Sequence, residues 1–461
     1  MFDIAIVGGV RTPFVKAFGP LAPLAAYDLG RANVVALLEK SGVRADQVDQ
    51  AVIGNVAVPA EAANIARVIA LQAGMPQNCI AHTVHRNCAS GMEAITQAAQ
   101  LVQLGDARLV LAGGAESMSQ IPLLYNEEAT EHFWKLSRAR SWWQRVKTLA
   151  GFRLRHFRPD PALKLGLTDP VSGLIMGATA EVLVDEFGIS RQAQDEYALL
   201  SHQRAVAAQE RCVLSEEIVP LILGEGGATC RTALQSRPLD PDGSGEPSYK
   251  GNESVGEVLP DETEVAKDIG PRAEQSLEAL GRMRPFFKQG GSVTVGNSCS
   301  ITDGAAMVLV MSGEQARAEG RQPLGYLRAW SYAGLDPRRM GLGPAFATAK
   351  LFAKTGLSMK DIDLVEMNEA FAAQVIANER AFASTEFAEK ELGRSEALGE
   401  LDRERMNVNG GAIALGHPIA ATGARLVITL LKELQRRGKK RGLATLCIGG
   451  GQGAALLLEA P

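Results

Sequence analysis

Val84-His85-Arg86-Asn87-Cys88-Ala89-Ser90-Gly91-Met92 marks a place where an extended segment, 81–84, turns into a helix through small residues. Met92, Ile95 and Ala99 recur at helical spacing, and Leu101 and Leu104 carry the apolar face onward. A thiol at the start of such a helix meets unpaired backbone N–H groups and the positive end of the helix dipole, both of which favour thiolate. Gly91 allows a second backbone or a substrate to come close. Taken alone, Cys88 reads first as a buried, inert side chain, the ordinary fate of a free cysteine. Its weight depends on what the rest of the chain places beside it.

Around this turn, strand and helix alternate. The pattern predicts strands over 2–7, 50–56 and 108–112 and helices over 25–41 and 62–73, the last strand closing in Gly113-Gly114-Ala115-Glu116. From 325 the same grammar returns. Strands are expected over 325–330, 364–367 and 443–447, and helices over 344–355, 370–382 and 422–437. In each half, a small-residue turn with one reactive side chain, Cys88 and then His417, precedes a helix leading to a strand that closes in glycines. This is the signature of an internal duplication in an α/β protein. Equivalent turns in two packed halves can face each other, which would bring Cys88, His417 and Cys447 together.

The predicted organisation is an N-terminal half over 1–120, completed by 291–323, an inserted loop domain over 121–290, and a C-terminal half over 324–461. Within the insertion, Asp240-Pro241-Asp242-Gly243-Ser244-Gly245-Glu246-Pro247 reads as loop, and 191–209 as a helix capped by Ser190. From 135 to 158 there is no acidic residue, and Lys and Arg alternate with aromatic and aliphatic residues that include Trp142 and Trp143. Such a stretch fits an interfacial membrane helix or a partner-docking surface, and equally a surface helix whose aromatics pack on the body.

Composition narrows the function. At 461 residues the chain exceeds one typical core, and 46% hydrophobic with 22% charged residues suits a globular enzyme. The net charge of −4 gives no reason to expect nucleic acid. The six cysteines lack metal-ligand spacing, so neither a metal site nor a disulfide framework is expected, and the compartment expected is the reducing cytoplasm. The opening residues read at once as a buried strand, leaving no room for a signal sequence, and no apolar run is long enough to span a bilayer.

Four segments carry chemistry. Cys88 is the candidate nucleophile. His417, in Gly416-His417-Pro418 before a helix, is the candidate base. Cys447-Ile448-Gly449-Gly450-Gly451 offers a second thiol for proton transfer and backbone N–H groups for an oxyanion, and it lacks the lysine of a P-loop. Asn368-Glu369-Ala370-Phe371 places an amide at a strand–helix junction, where it could fix a water or cap the helix.

Together and in this order, these segments resemble the thiolase family, as do Gly9-Val10-Arg11-Thr12-Pro13-Phe14, Gly114-Ala115-Glu116-Ser117-Met118-Ser119 and Asn297 through Asp303-Gly304-Ala305-Ala306. The resemblance implies a duplicated α-β-α-β-α layered fold with an inserted loop domain that holds coenzyme A. It implies a 3-oxoacyl-CoA thiolase of fatty acid β-oxidation, with coenzyme A as a substrate and no permanently bound cofactor. Cys88 would take the acyl group as a thioester, His417 would favour its thiolate, and Cys447 would shuttle a proton. One oxyanion site would use His417 and a water on Asn368, the other the backbone N–H groups of Cys88 and Gly449. Arg272 and Cys299 would touch coenzyme A, Cys299 standing where a hydroxyl residue is commoner.

The long insertion looks most like the thiolase subunits of trifunctional-type complexes, although Asn368 stands where those relatives often carry His. That likeness implies long or medium acyl chains and a hydratase/dehydrogenase partner subunit, and the family resemblance implies a homodimer or larger assembly; peripheral membrane contact through 135–158 stays a reading of the basic stretch itself. Two alternatives stay open: an acetyl-CoA C-acetyltransferase confined to acetoacetyl-CoA, and a non-catalytic CoA-binding scaffold subunit. A decarboxylating condensing enzyme fits less well, because a cysteine at 447 suits thiolases.

Overall fold

The computed structural model describes residues 2–224, 227–230 and 263–461, so the expected loop at Asp240 to Pro247 lies outside the described residues. The frame is a ten-stranded sheet. Its principal strands are β1 (Ile4–Arg11), β2 (Gln50–Gly54), β3 (Ile80–Val84), β4 (Leu109–Glu116), β5 (Thr302–Ser312), β6 (Gly325–Gly334), β7 (Leu364–Met367), β8 (Arg441–Ile448) and β9 (Gln452–Glu459). They lie in the order β7-β8-β9-β6-β1-β5-β4-β2-β3.

The duplication is visible in this order. Outward from the centre, β1-β5-β4-β2 matches β6-β9-β8-β7, with the same antiparallel, antiparallel, parallel sequence of pairings. Even β3 has a trace of a counterpart, a lone parallel bridge between Val365 and Met406. The two half-sheets are continuous, joined where Ile4–Ile6 pairs antiparallel with Gly325–Leu327. β5 and β9 escape the sequence pattern. Both are buried on both faces, and such strands read as unbroken apolar runs without alternation.

Helices form the other layers. Those that position the site are α1 (Ala26–Lys40), α2 (Ile65–Gln72), α3 (Ser90–Leu104), α4 (Glu127–Ser137), α5 (Trp142–Ala150), α6 (Met176–Phe187), α7 (Arg191–Glu210), α8 (Gly343–Thr355), α9 (Ala372–Ala383) and α10 (Ile419–Arg436). α1 and α2 cover the outer face of the N-terminal half-sheet, and α8 covers that of the other. α3 and α10 lie between the half-sheets, where α10 touches β4 and β5 on one side and β7 and β8 on the other. The result is the expected α-β-α-β-α stack. Its middle core draws Met92, Ile95, Val308, Leu426, Val427 and Leu456 from both halves.

α3 and α10 cross in near backbone contact. A Cβ on Gly91 would sit 2.6 Å from the Ala420 carbonyl oxygen, and one on Gly423 would sit 2.6 Å from the Met92 nitrogen. The close approach foreseen for Gly91 is therefore to the partner helix. It also brings the helix starts to one place, because Gly91 and Ala420 each follow the reactive residue, Cys88 or His417, by the same interval.

In the inserted region, Ser190 caps α7 as expected, its hydroxyl accepting from the Ala193 N–H. α6 and α7 pack beside α9 in the C-terminal half. The basic stretch forms α4, α5 and a short turn over Leu154–Phe157. Trp134, Trp142, Trp143, Leu154 and Phe157 are all exposed. Their packing against the body, one of the two readings of this stretch, is not what the fold adopts.

Candidate active site

Cys88 is half-buried just before α3, packed against the core that both halves share. Asn87 adopts φ 45°, in the left-handed region, and its Nδ2 donates to the Gly449 carbonyl at 2.7 Å. Arg86 reaches the same side, donating to Gln452 Oε1 at 3.1 Å and to Glu93 Oε2 at 2.7 Å while lying over the Tyr332 ring. The cysteine turn of one half is thus tied, through the two residues just before Cys88, to β9 and the glycine turn of the other. Asparagine tolerates this backbone conformation better than most residues, which is the signal that could have marked Asn87.

The Gly449 N–H points at the Cys88 sulfur. Burial pushes the Cys88 thiol up, nearby Glu116 adds to this, and the Gly449 and Cys88 N–H groups pull it down without prevailing. Burial thus opposes the thiolate that the helix start favours. Cys447, buried at the end of β8, is pushed well above the ordinary thiol range by burial and by Cys88 and Cys299. Cys299 is pushed up to about 12 by burial, with Cys88 next. The three thiols thus lie within electrostatic reach of one another.

His417 is held from both flanks. Its backbone N–H donates to the Ser300 carbonyl at 3.2 Å, and its Nδ1 lies 2.6 Å from Thr422 Oγ1. Thr422 donates its own proton to the Pro418 carbonyl at 3.1 Å, so it accepts from Nδ1–H and leaves Nε2 as the basic nitrogen. That Nε2 is buried and has no protein partner. Burial, then the charge of Arg425, lower the imidazole to about 3, so His417 is a neutral base.

Asn368 extends β7, its N–H donating to the Thr445 carbonyl at 3.0 Å. Its side chain is fully buried, and neither Oδ1 nor Nδ2 has a partner. It caps no helix, since α9 starts later, after Phe371. Residues 298–301 link it to His417. Ser298 bridges Phe371, the Cys299 N–H donates to the Ala370 carbonyl at 3.0 Å, and Ile301 bridges His417. Cys299 therefore lies on the segment that joins the two turns. Arg272 is exposed, and its backbone N–H donates to His202 Nδ1 at 3.3 Å.

Three buried carboxylates brace these turns. Glu116, at the end of β4, accepts from Asn55 Nδ2, the Val56 and Ala57 N–H groups and the Ala420 N–H at the start of α10. Burial lifts it to about 7 against those donors. Glu369 accepts from Tyr197, Ser201, Asn407 and the Ile413 N–H, joining α7 to the Asn368 turn. Glu366 pairs with Arg425. Sequence reading named Glu116 and Glu369 only as parts of motifs and missed Glu366. An acid inside a buried strand was the available signal.

The site holds a nucleophilic sulfur with an N–H aimed at it, a second thiol nearby, and a neutral imidazole. No group of His, Cys, Asp or Glu among the described residues is arranged to hold a metal. This is equipment for acyl transfer.

Comparison with known proteins agrees. Residues 4–235 and 255–314 match the family described as Thiolase, N-terminal domain, and 321–460 match Thiolase, C-terminal domain. The chain is 39% identical over 459 residues to a 3-ketoacyl-CoA thiolase of Yersinia enterocolitica, covering 99% of this chain and 96% of that one. A Serratia proteamaculans protein of the same name is 38% identical over 458 residues, with the same coverage. Among solved structures, an acetyl-CoA acetyltransferase of Bacillus anthracis superposes with TM-score 0.80 at 36% identity, covering 100% of this chain and 99% of that one. A human mitochondrial 3-ketoacyl-CoA thiolase in complex with CoA does so with TM-score 0.78 at 32% identity, covering 99% and 98%.

Proposed function

The chain belongs to the thiolase family, and from that premise we propose how its site works. The reaction is the CoA-dependent cleavage of a 3-oxoacyl-CoA into acetyl-CoA and a shortened acyl-CoA, an acyl transfer with coenzyme A as substrate and no resident cofactor. His417 Nε2 takes the Cys88 proton as the sulfur adds to the 3-oxo carbon. The tetrahedral oxyanion collapses, the bond between C2 and C3 breaks, and its electron pair leaves as the acetyl-CoA enolate. Cys447 protonates that enolate and becomes a thiolate, while the acyl group stays on Cys88. Cys447 then takes the proton of incoming CoA, whose sulfur attacks the thioester. Cys88 leaves and recovers its proton from His417.

In this scheme the enolate oxygen rests against the protonated His417 and a water on Asn368, whose amide lacks a protein partner. The acyl oxygen takes the N–H groups of Cys88 and Gly449. Losing one such donor costs about two to three orders of magnitude in rate. The single observation that carries the reading is the bond from Asn87, beside Cys88, to Gly449, just past Cys447, which brings the two cysteine segments together from far apart in the chain. Arg272 and Cys299 are assigned to the coenzyme A side, and residues 121–290 to a loop domain that binds it.

The test is intact-mass measurement after mixing with a 3-oxoacyl-CoA and no free CoA. The wild type should carry the acyl group, and Cys88→Ala should not. Full activity in Cys88→Ala overturns the scheme. The acetyltransferase reading has its own support in the likeness to the Bacillus anthracis enzyme, and a substrate series from acetoacetyl-CoA upward separates the two. Activity kept as the chain lengthens favours fatty acid β-oxidation, whereas activity confined to acetoacetyl-CoA favours the acetyltransferase.

A homodimer or larger assembly, a hydratase/dehydrogenase partner and a cytoplasmic location complete the reading. Membrane contact through 135–158 is supported by its exposed tryptophans. It is also supported by an apolar hollow of about 400 Å³ lined by Tyr125, Thr130, Phe133, Trp134 and Ser137.

A further inference from the structure

Arg425 and Glu366 form an ion pair with no solvent access to the guanidinium, Nη1 to Oε2 at 2.8 Å. The pair is poorly built for stability. Nε and Nη2 of Arg425 have no partner, and burial together with Glu217, Glu369 and Glu433 pushes the Glu366 carboxyl up against the pull of Arg425. A buried pair left partly unsatisfied commonly contributes less than apolar side chains of similar volume.

Its placement is more telling. Arg425 lies on α10, the rigid helix that starts just after His417. Glu366 lies on β7, two residues before Asn368, so the two side chains share one face of the extended chain. That face is the inner one. Leu364 belongs to the middle core with α10, whereas Val365 and Met367 belong to the outer core. The bond therefore ties the helix carrying the imidazole to the strand end carrying the amide.

We propose that the Arg425–Glu366 pair is a positioning clamp that fixes His417 Nε2 and the Asn368 amide relative to each other for the enolate oxygen. The proposal rests on the oxyanion role assigned above to His417 and Asn368. Arg425 and Glu366 are positioning residues, since they act through those two side chains. The opposite end of the helix start is held by Glu116 through the Ala420 N–H, so α10 is fastened to both half-sheets. A displacement of about 1 Å at reacting groups can cost on the order of a hundredfold in rate.

The test is the full-length double variant Arg425→Met/Glu366→Met, which removes both charges and keeps the volume. It should melt at or above the wild-type temperature, keep KM within about twofold and lose kcat by about a hundredfold. A folded double variant with wild-type kcat, or one whose loss lies in KM, overturns the clamp. Should it fail to fold, Glu366→Asp keeps the charge but shortens the arm. A fall in kcat at unchanged KM supports the clamp, and wild-type kcat overturns it. His417→Ala and Asn368→Ala run in parallel separate the two ideas. If they keep activity the oxyanion reading fails, and if they lose it while the clamp variants do not, only the clamp fails.

Discussion

The Asn87 amide donates to the Gly449 carbonyl at 2.7 Å, a bond between residues 362 apart that closes the two halves over Cys88. The residue whose carbonyl receives this bond sends its own N–H toward the sulfur. Asn87 thus orients the donor by holding the carbonyl of the same residue. Asn87→Gly keeps the left-handed backbone and loses the amide, while Asn87→Ala loses both. Both should slow turnover by at least tenfold, and Ala should be the less stable by about 1 kcal/mol, read by chemical denaturation. Equal stability would show that the backbone at 87 relaxes freely.

The thiol state of Cys88 is testable by alkylation. Burial raises the thiol and lowers the imidazole, both of which favour a neutral pair. The rate of iodoacetamide labelling at Cys88, followed by peptide mass spectrometry, should climb about tenfold per unit from pH 6 to 9. A rate that levels off near pH 7 would indicate a thiolate–imidazolium pair instead.

Stability should also report His417. Its folded value is depressed to about 3 while the unfolded chain takes up the proton near 6.5, so stability is lost as pH falls from 6.5 toward 3. Between pH 7 and 5 the wild type should lose about 2 kcal/mol more than His417→Gln, measured by denaturant unfolding. Identical losses would mean that the imidazole is hydrated in solution.

The exposed tryptophans make a separate prediction. Trp142 and Trp143 stack with ring centroids 3.7 Å apart and are more than half exposed. Changing both to Ser should weaken binding to vesicles containing anionic phospholipid while leaving thiolysis unchanged. Unchanged vesicle binding would remove the membrane reading of 135–158.

Much of this was legible in the chain. Cys88, His417 and Cys447 each follow or precede small-residue turns, and the repeated strand–helix grammar placed two such turns in equivalent positions. What stayed hidden depended on distant partners. Glu116 meets the Ala420 N–H across 304 residues, and nothing local to either announces the other. Glu366 sits in an apolar strand whose inner and outer faces both bury, so alternation could not say which way it points. The desolvation that opposes a thiolate at Cys88 is likewise a property of the folded surroundings, not of the local sequence.

The seam between the half-sheets has a consequence for how the protein is made. β1 ends at Arg11, yet both strands that flank it, β5 and β6, begin only at Thr302 and Gly325. On the ribosome, β1 emerges early and then waits with both edges open until most of the chain has been synthesised. Long-range pairing of this kind is slow, and open strand edges invite aggregation. A nascent chain stalled before residue 302 should therefore be a chaperone client, with Ile4, Ala5 and Ile6 in the segment to be sheltered.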